Sequence, residues 1–403
     1  MSKVFEGIKI ADFSWLVQGP MTVEYLAAHG ATVVHIESSS SVDVIRTSPP
    51  YKDNIPGINR SGLFPLNNCN KYGVTLNLNH PKGTEIAKRF VAWADIVAES
   101  FAPGTIERWG LDYESIRKIK PDIIMISLSI QGQTGPHAKH GAYGTQAVSL
   151  AGFTHLVGWP DRDPSLLAGA HTDVVAPCFA ASALIAALDY RRRTGRGQKI
   201  DASQYECALQ FLSPLILDYT VNKRVAERQG NLHPYAAPHG AYPCRGDDRW
   251  CAIAVFSGQE WEALCGVLGH REWVKDSRFA TLLSRKQNEN ELNRLVSECT
   301  INFTAEKLMA RLQAAGVSAG VVQNCKDILF DPQLQHRRHF WELEHSEIGK
   351  HTYDAPGFRL SKTPCELQMP APCLGEHNEY VYTQILGLSD EEFVQLLGEG
   401  VFD

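Results

Sequence analysis

The strongest constraint on the fold is an alternation of short apolar runs and amphipathic segments over the first 130 residues. Ile8 to Phe13 and Ala31 to Glu37 are typical of buried strands, and the segment between them, Met21 to His29, is typical of a helix. Further strands are predicted at Val74 to Leu78, Asp95 to Glu99 and Ile123 to Ile130. Strands that alternate with helices form parallel sheets, so we predict an open, doubly wound, Rossmann-like α/β domain.

The first turn from strand to helix, Ser14 to Pro20, does not fit a dinucleotide site. It lacks the G-x-G-x-x-G fingerprint, and Pro20 removes a backbone N–H that would face a pyrophosphate. A nicotinamide or flavin dinucleotide is therefore disfavoured, and we expect no permanently bound cofactor.

Charge and cysteine usage narrow the class of protein. The chain has 403 residues, a net charge of -6 and no basic block, which argues against nucleic acid or a membrane as partner. Its start is unlike a signal peptide, and no apolar run reaches the roughly 18 residues of a membrane span. Its 10 cysteines include no C-x-x-C pair. We therefore expect a reduced, cytoplasmic protein that binds no metal.

The character of the sequence changes near Gln229. The segment Asn231 to Pro243 is rich in histidine and proline, and a predicted strand at Trp250 to Phe256 precedes several amphipathic helices. This pattern predicts a smaller α+β domain at residues 226–335, after a large domain whose first part is residues 1–225. Between the second and third predicted strands, residues Ser38 to Gly62 are predicted to form a long surface excursion. Loops of this length often have a function.

One carboxylate, Asp173, stands where a loop becomes a helix rich in small residues. It has two interpretations. Aspartate is a common helix N-cap, because it accepts backbone N–H bonds and complements the helix dipole. A carboxylate can also act as a nucleophile that carries an acyl group as a mixed anhydride, and the free N–H groups at a helix start would stabilise the oxyanion.

Several short motifs stand in a characteristic order around Asp173. They are Gly7-Ile8-Lys9-Ile10 with Gly19-Pro20, Asn70-Lys71 before Thr75-Leu76-Asn77-Leu78, Phe101-Ala102-Pro103-Gly104, Gly132-Gln133-Thr134-Gly135-Pro136, Thr194-Gly195-Arg196-Gly197-Gln198, Asp276-Ser277-Arg278-Phe279, Ala315-Gly316-Val317 and Leu374-Gly375-Glu376-His377. With these motifs, the chain resembles class III coenzyme A transferases of the formyl-CoA transferase and carnitine CoA-transferase type. The resemblance covers essentially the whole chain.

The resemblance implies an architecture and an assembly. Residues 336–403 are expected to return to the large domain, which is then built from both parts of the chain that flank the small domain. Two ring-like subunits are expected to interlock. The partner subunit is either a second copy or a paralogous chain of a hetero-oligomer.

The resemblance also implies a site for acyl-CoA and a small organic acid. Asp173 is the expected nucleophile and Gln18 a donor to the reacting oxygen. The expected coenzyme A contacts are Val17, Gln18, Ser38, Leu76, Asn77, Leu78, Asn79, Ser100, Phe101, Ala102, Arg108, Gly141, Ala142, Tyr143 and Gly144. Ser38 departs from the family, whose members often carry arginine there to bind a phosphate.

The expected reaction moves coenzyme A from an acyl-CoA donor, with succinyl-CoA as the expected donor, to a carboxylic acid. It passes through an aspartyl mixed anhydride and an aspartyl-CoA thioester on Asp173. One alternative is an acyl-CoA racemase, whose proton-transferring histidine would fall at Tyr143, close to His140. The other is a supporting subunit of a hetero-oligomeric CoA-transferase.

Two motifs predict a subgroup. Asp12-Phe13-Ser14-Trp15 and Asn59-Arg60-Ser61-Gly62 resemble subunits of succinyl-CoA:benzylsuccinate CoA-transferase. Trp15 and Trp159 are candidates for an apolar acyl pocket, although tryptophans are equally common in ordinary cores.

Overall fold

The computed structural model describes residues 3–167 and 169–403. The chain divides into two compact units. The large unit comprises Met1–Thr154, Leu166–Arg224 and Gln333–Asp403, and the small unit comprises His155–Ser165 and Val225–Pro332.

A six-stranded parallel sheet forms the centre of the large unit. Its strands are β1 (Lys9–Asp12), β2 (Thr32–Glu37), β3 (Lys71–Thr75), β4 (Ile96–Glu99), β5 (Ile124–Ser129) and β6 (Lys199–Ser203). They lie in the order β3-β2-β1-β4-β5-β6, and in this register Asp12 stands beside both His35 and Ala98. The parallel α/β sheet that the alternation predicts is therefore confirmed.

The helices are short apart from one at the candidate site. In the described residues the α-helices are α1 (Gln18–Ala27), α2 (Pro81–Trp93), α3 (Thr105–Arg108), α4 (Tyr113–Ile119), α5 (Gly144–Leu150), α6 (Phe153–Leu156), α7 (His171–Thr194), α8 (Gln204–Leu209), α9 (Ser213–Asn222), α10 (Gly258–Leu268), α11 (Leu282–Gln287), α12 (Glu289–Thr300), α13 (Ala305–Ala314), α14 (Cys325–Leu329), α15 (Pro332–His336), α16 (Asn378–Tyr380) and α17 (Asp390–Gly398).

Both faces of the sheet are covered by helices. On one face, α1 and α7 bury apolar residues such as Leu26 and Leu184 against strand residues that include Ile10. On the other face, α2 and α4 pack with residues such as Phe90 against strand residues that include Ala11. Strand residues that are buried on both sides explain why the strands are nearly continuous apolar runs.

Helix α7 is long and apolar enough, by length and composition, to cross a membrane. No other described helix meets that criterion. In this fold its face with Ala176, Ala180 and Leu184 is buried against the sheet and α1. The small residues Ala180 and Ala187 allow this close approach, which is a common reason for alanine in a core helix.

Two strands differ from the sequence-based expectation. The sequence pattern from Ile200 to Thr220 predicts a helix, but Lys199–Ser203 is the edge strand β6, whose alternate residues are more and less exposed. Strand β3 begins at Lys71, earlier than the predicted Val74. The Lys71 side chain is buried there, and its ammonium pairs with the Asp12 carboxylate at 3.1 Å. A charged residue inside a buried strand interrupts the apolar pattern from which strands are predicted.

The last part of the chain completes the large unit. A hairpin of β10 (Phe340–His345) and β11 (Gly349–Asp354) precedes a segment that lies along the outer edge of β3. The His377 amide donates to the Gly73 carbonyl at 3.0 Å, and the Asn77 amide donates to the Val401 carbonyl at 2.9 Å. These contacts occupy an edge that parallel pairing leaves free.

The small unit has its own sheet and core. Strands β7 (His239–Pro243), β8 (Trp250–Ala254) and β9 (Ser318–Val321) form an antiparallel sheet in that order. Helices α10, α12 and α13 bury apolar residues against it around Trp261 and Phe279. This unit therefore combines α-helices with an antiparallel sheet.

Candidate active site

Asp173 lies in the first turn of α7, which begins at His171. The N-cap position belongs to Ala170, and the Asp173 amide donates to the Ala170 carbonyl at 2.8 Å. The N-cap interpretation of Asp173 is therefore wrong. Its carboxylate is held by a side chain from another element instead.

That side chain is Gln204, the first residue of α8. Its Nε2 donates to Oδ1 of Asp173 and, at 2.9 Å, to Oγ1 of Thr172. Thr172 in turn donates to the Gly144 carbonyl at 3.2 Å. Gln204 is only 1% exposed, so its amide is fixed in place. No sequence motif points to this residue, because a glutamine after a short edge strand is not distinctive.

The environment of Asp173 changes its acidity in two directions. Burial raises the pKa of the Asp173 carboxyl group, and the hydrogen bond from Gln204 opposes this shift. Burial has the larger effect, so the pKa lies above the ordinary value for aspartate. A carboxylate that is partly removed from water is less stabilised by hydration, which favours its use as a nucleophile.

Gly144, a predicted coenzyme A contact, lies against Asp173. A β-carbon at this position would overlap the Asp173 carboxylate and the Ala170 side chain. Glycine is therefore required at the start of α5 for the carboxylate to occupy its place.

A cavity of about 500 Å³ opens in front of Asp173. Most of the predicted site residues line it: Val17, Gln18, Ser100, Phe101, Ala102, Gly141, Ala142, Tyr143, Gly144 and Asp173. Residues that the sequence analysis did not assign to the coenzyme A site also line it, among them Trp15, Lys139, His140 and Gln204. Trp159 belongs to the small unit.

Gln18 offers a free donor to this cavity. The residue is 8% exposed, and its Nε2 has no hydrogen-bond partner among the described residues. A buried amide without a partner is costly, so it is typical of a group that binds a ligand. Gln18 lines the same cavity as Asp173, and its role as a donor to the reacting oxygen stays a prediction.

Two side chains hold the turn that carries Gln18. Leu16 adopts a left-handed backbone conformation with φ of 69°, and its amide donates to Oδ2 of Asp43 at 2.8 Å. The Trp15 amide donates to Oγ of Ser100 at 2.9 Å. Asp43, which the sequence analysis did not single out, lies in the long excursion after β2. This excursion therefore helps to shape the cavity.

The family model for CoA-transferase family III matches residues 5–378. The chain belongs to CoA-transferase family III. The family predicted from the motifs is confirmed, whereas the benzylsuccinate subgroup stays a prediction.

Among its relatives is succinyl-CoA–D-citramalate CoA-transferase of Chloroflexus aurantiacus, 31% identical over 98% of this chain and 97% of the relative. Human succinyl-CoA:glutarate CoA-transferase is 30% identical over 100% of this chain and 90% of the relative. A crystal structure of a CAIB/BAIF family protein from Brucella suis superposes with a TM-score of 0.88 at 29% identity, over 96% of this chain and 100% of that one.

The remaining predicted contacts of this family III CoA-transferase do not line the cavity. Leu76 is buried in the core, Leu78 packs against that core, and Arg108 is exposed at the end of α3. The Asn77 amide donates to the backbone of Val401, and the Ser38 hydroxyl donates to the Asp403 carbonyl at 3.1 Å.

Aromatic contacts connect one of these positions to the cavity. Trp109 donates from Nε1 to Oδ1 of Asn79 at 3.3 Å, and its ring packs edge-on against Phe101 at 5.3 Å. Phe101 packs against Trp15 at 5.8 Å. Asn79 and the cavity wall are therefore joined by one chain of side-chain contacts.

No group of three or more histidine, cysteine, aspartate or glutamate side chains that could hold a metal ion occurs in the described residues.

Proposed function

We propose that this family III CoA-transferase carries coenzyme A from succinyl-CoA to a dicarboxylic acid through covalent intermediates on Asp173. The observation that carries the proposal is the Asp173 carboxylate itself. It is half-buried, held by Gln204, and faces a cavity that also presents the unpartnered amide of Gln18.

The reaction begins when a carboxylate oxygen of Asp173 attacks the thioester carbonyl of succinyl-CoA. The carbon–sulfur bond breaks, coenzyme A leaves as a thiolate, and a succinyl-aspartyl anhydride remains. The thiolate then attacks the aspartyl carbonyl and expels succinate, which leaves an aspartyl-CoA thioester. The acceptor carboxylate follows the same two steps in reverse, so that the acceptor gains coenzyme A and Asp173 is regenerated.

Gln18 serves the steps at the acyl carbonyl. Negative charge develops on the acyl oxygen when Asp173 attacks, and a fixed donor in a water-poor cavity stabilises that charge more than it stabilises the neutral thioester. The free Nε2 of Gln18 supports this role.

The proposed coenzyme A groove has two parts. The predicted contacts that line the cavity would hold the thioester end; they are Val17, Gln18, Ser100 to Ala102 and Gly141 to Gly144. Asn79, Arg108 and the aromatic contacts around Trp109 would hold the part of coenzyme A that lies outside the cavity.

A dicarboxylic acceptor is supported by the charges at the cavity. Lys139 and His140 line it together with Asp173. A cation can pair with the second carboxylate while the first one reacts. The two relatives named above act on citramalate and glutarate, which are dicarboxylic acids, and benzylsuccinate belongs to the same chemical class.

The racemase alternative keeps one supporting observation, because His140 lines the same cavity as Asp173. Incubation of an acyl-CoA in deuterated water without an acceptor acid separates the two reactions. Incorporation of deuterium next to the thioester carbonyl would support racemisation, and its absence together with coenzyme A transfer would exclude it.

The decisive experiment replaces the nucleophile. Asp173→Ala should abolish transfer of coenzyme A to a panel of dicarboxylic acids, because Asp173 is the only carboxylate among the described residues that line the cavity. Intact-mass spectrometry of the wild type with succinyl-CoA should reveal adducts that the variant lacks. Asp189→Ala is the matched control, since Asp189 lies exposed on the same helix in ion pairs with Arg192 and Arg193. Wild-type turnover by folded Asp173→Ala would refute the mechanism.

A further inference from the structure

We propose that Gln204 is a catalytic residue, which donates a hydrogen bond to the aspartyl carbonyl oxygen in the steps where coenzyme A sulfur or the acceptor attacks Asp173. This inference rests on the proposed function. It assigns separate donors to the two carbonyl groups that react in turn, Gln18 for the acyl group and Gln204 for the aspartyl group.

The geometry distinguishes the two oxygens of Asp173. Oδ1 accepts from Nε2 of Gln204 and lies on the side of Gly144, where no room exists even for a β-carbon. No described residue donates a hydrogen bond to Oδ2. The structure therefore assigns Oδ2 as the attacking atom, and Oδ1 becomes the carbonyl oxygen of the anhydride.

Gln204 needs no movement to act in the next step. The thiolate sulfur of coenzyme A forms a bond to Cγ of Asp173, and the electron pair of the Cγ–Oδ1 double bond moves onto Oδ1. Nε2 of Gln204 already points at that oxygen, so its hydrogen bond strengthens as the charge develops. When the double bond re-forms, the Cγ–Oδ2 bond breaks and succinate leaves with that oxygen.

Burial and anchoring prepare Gln204 for this role. The side chain is 1% exposed, so water does not compete for its donors. Its second hydrogen bond, to Thr172, fixes the amide plane. A donor that is held in place before the reaction loses little free energy to reorganisation when charge appears.

The proposal predicts which intermediate accumulates. In Gln204→Leu, attack by Oδ2 on succinyl-CoA and release of the thiolate should proceed, but attack of the thiolate on Cγ should slow. Mixed with succinyl-CoA alone, this variant should hold the succinyl adduct, whereas the wild type should proceed to the coenzyme A adduct. The value of kcat should fall about 100-fold or more, as is usual for loss of an oxyanion donor. KM for succinyl-CoA should not rise, because an adduct that accumulates before the slow step lowers KM.

A purely positioning role gives a different result. If Gln204 only orients Asp173, the first burst of thiolate release should slow as much as the overall reaction, and no succinyl adduct should build up. That outcome, or wild-type kcat in Gln204→Leu, would overturn the proposal. Gln210→Leu is the matched control, since Gln210 is exposed and lies directly after the end of α8.

A second variant guards against misfolding of the first. Gln204→Glu keeps the shape of the side chain, and its carboxyl group donates only when it is protonated. Its kcat should therefore fall as pH rises, in a range where the wild type does not decline; a pH profile that matches the wild type would contradict the proposal. Asp173→Ala, measured in parallel, separates the two hypotheses, because activity in that variant would refute the covalent mechanism as a whole.

Discussion

Glu99 is a buried acid close to the site. It ends β4, is 1% exposed, and its Oε2 accepts from the Phe101 amide at 2.8 Å. Burial raises the pKa of Glu99 to about 7, well above the ordinary value of 4.5. The folded protein therefore retains a proton that the unfolded chain releases between these two pH values. The stability that this proton provides is present below pH 4.5 and is lost as pH rises through about 7.

Replacement of Glu99 by glutamine should remove this dependence. Glu99→Gln keeps an oxygen acceptor for Phe101 but cannot ionise. We expect a free energy of unfolding close to wild type at pH 5, and a gain of roughly 1 to 3 kcal/mol at pH 8. Urea unfolding at the two pH values measures the difference. Glu85→Gln, at an exposed position on α2, should show no such gain. Equal stability of Glu99→Gln and wild type at pH 8 would show that the carboxylate is not destabilising there.

At the scale of elements, the site is a convergence of three helix starts. Helices α5, α7 and α8 begin at Gly144, His171 and Gln204, far apart in the chain. The hydrogen bonds of Gln204 and Thr172 join their first turns. The position of one carboxylate thus depends on three separate segments.

Gly144→Ala tests this dependence. The added methyl group overlaps the Asp173 carboxylate, so the carboxylate must shift away from Gln204. Misplacement of a reacting group by about 1 Å can cost 100-fold in rate, and we expect a loss of at least that size in kcat. Gly258→Ala is the control, because Gly258 is also the first residue of a helix and a β-carbon there meets open space. A Gly144→Ala variant with more than a tenth of wild-type kcat would contradict the proposed crowding.

The same convergence explains what the sequence could and could not predict. Strands β1, β2, β4 and β5 follow from apolar runs, because both of their faces are buried. Strand β6 has alternating exposure at the edge of the sheet, and β3 contains the buried Lys71, so both were misjudged. Asp173 could be found from the order of its neighbouring motifs. Gln204 could not, because its role arises only when β6 places α8 beside α7.

At the scale of the whole molecule, α9 carries an apolar surface that no described residue of this chain covers. Its exposed residues include Leu215, Ile216, Leu217, Tyr219 and Val221. Soluble monomers rarely expose so many neighbouring apolar side chains. We propose that this surface is buried in an oligomer, either a homodimer or an assembly with a paralogous chain. Within each subunit, the domain boundaries predicted at residues 225 and 335 stay predictions.

An interlocked dimer would separate only when a subunit opens. Its dissociation should then be tied to unfolding rather than to dilution. Two folded samples with different tags, mixed at low micromolar concentration, should exchange no subunits over hours when they are analysed by native mass spectrometry. Samples that are unfolded and refolded together provide the positive control. Rapid exchange between folded samples would rule out interlocking for this protein.

The segment that covers the edge of β3 also orders events during protein synthesis. Strands β1 to β3 emerge from the ribosome early, but His377, which bonds to Gly73, is made 304 residues after it, and Val401, which bonds to Asn77, is made later still. Until then the outer edge of β3 presents free N–H and C=O groups, on which another nascent chain could pair. A translation product that stops before His377 keeps this edge open. Neighbouring ribosomes on one messenger RNA therefore carry chains that are at risk of joining through β3 until His377 and Val401 have been made.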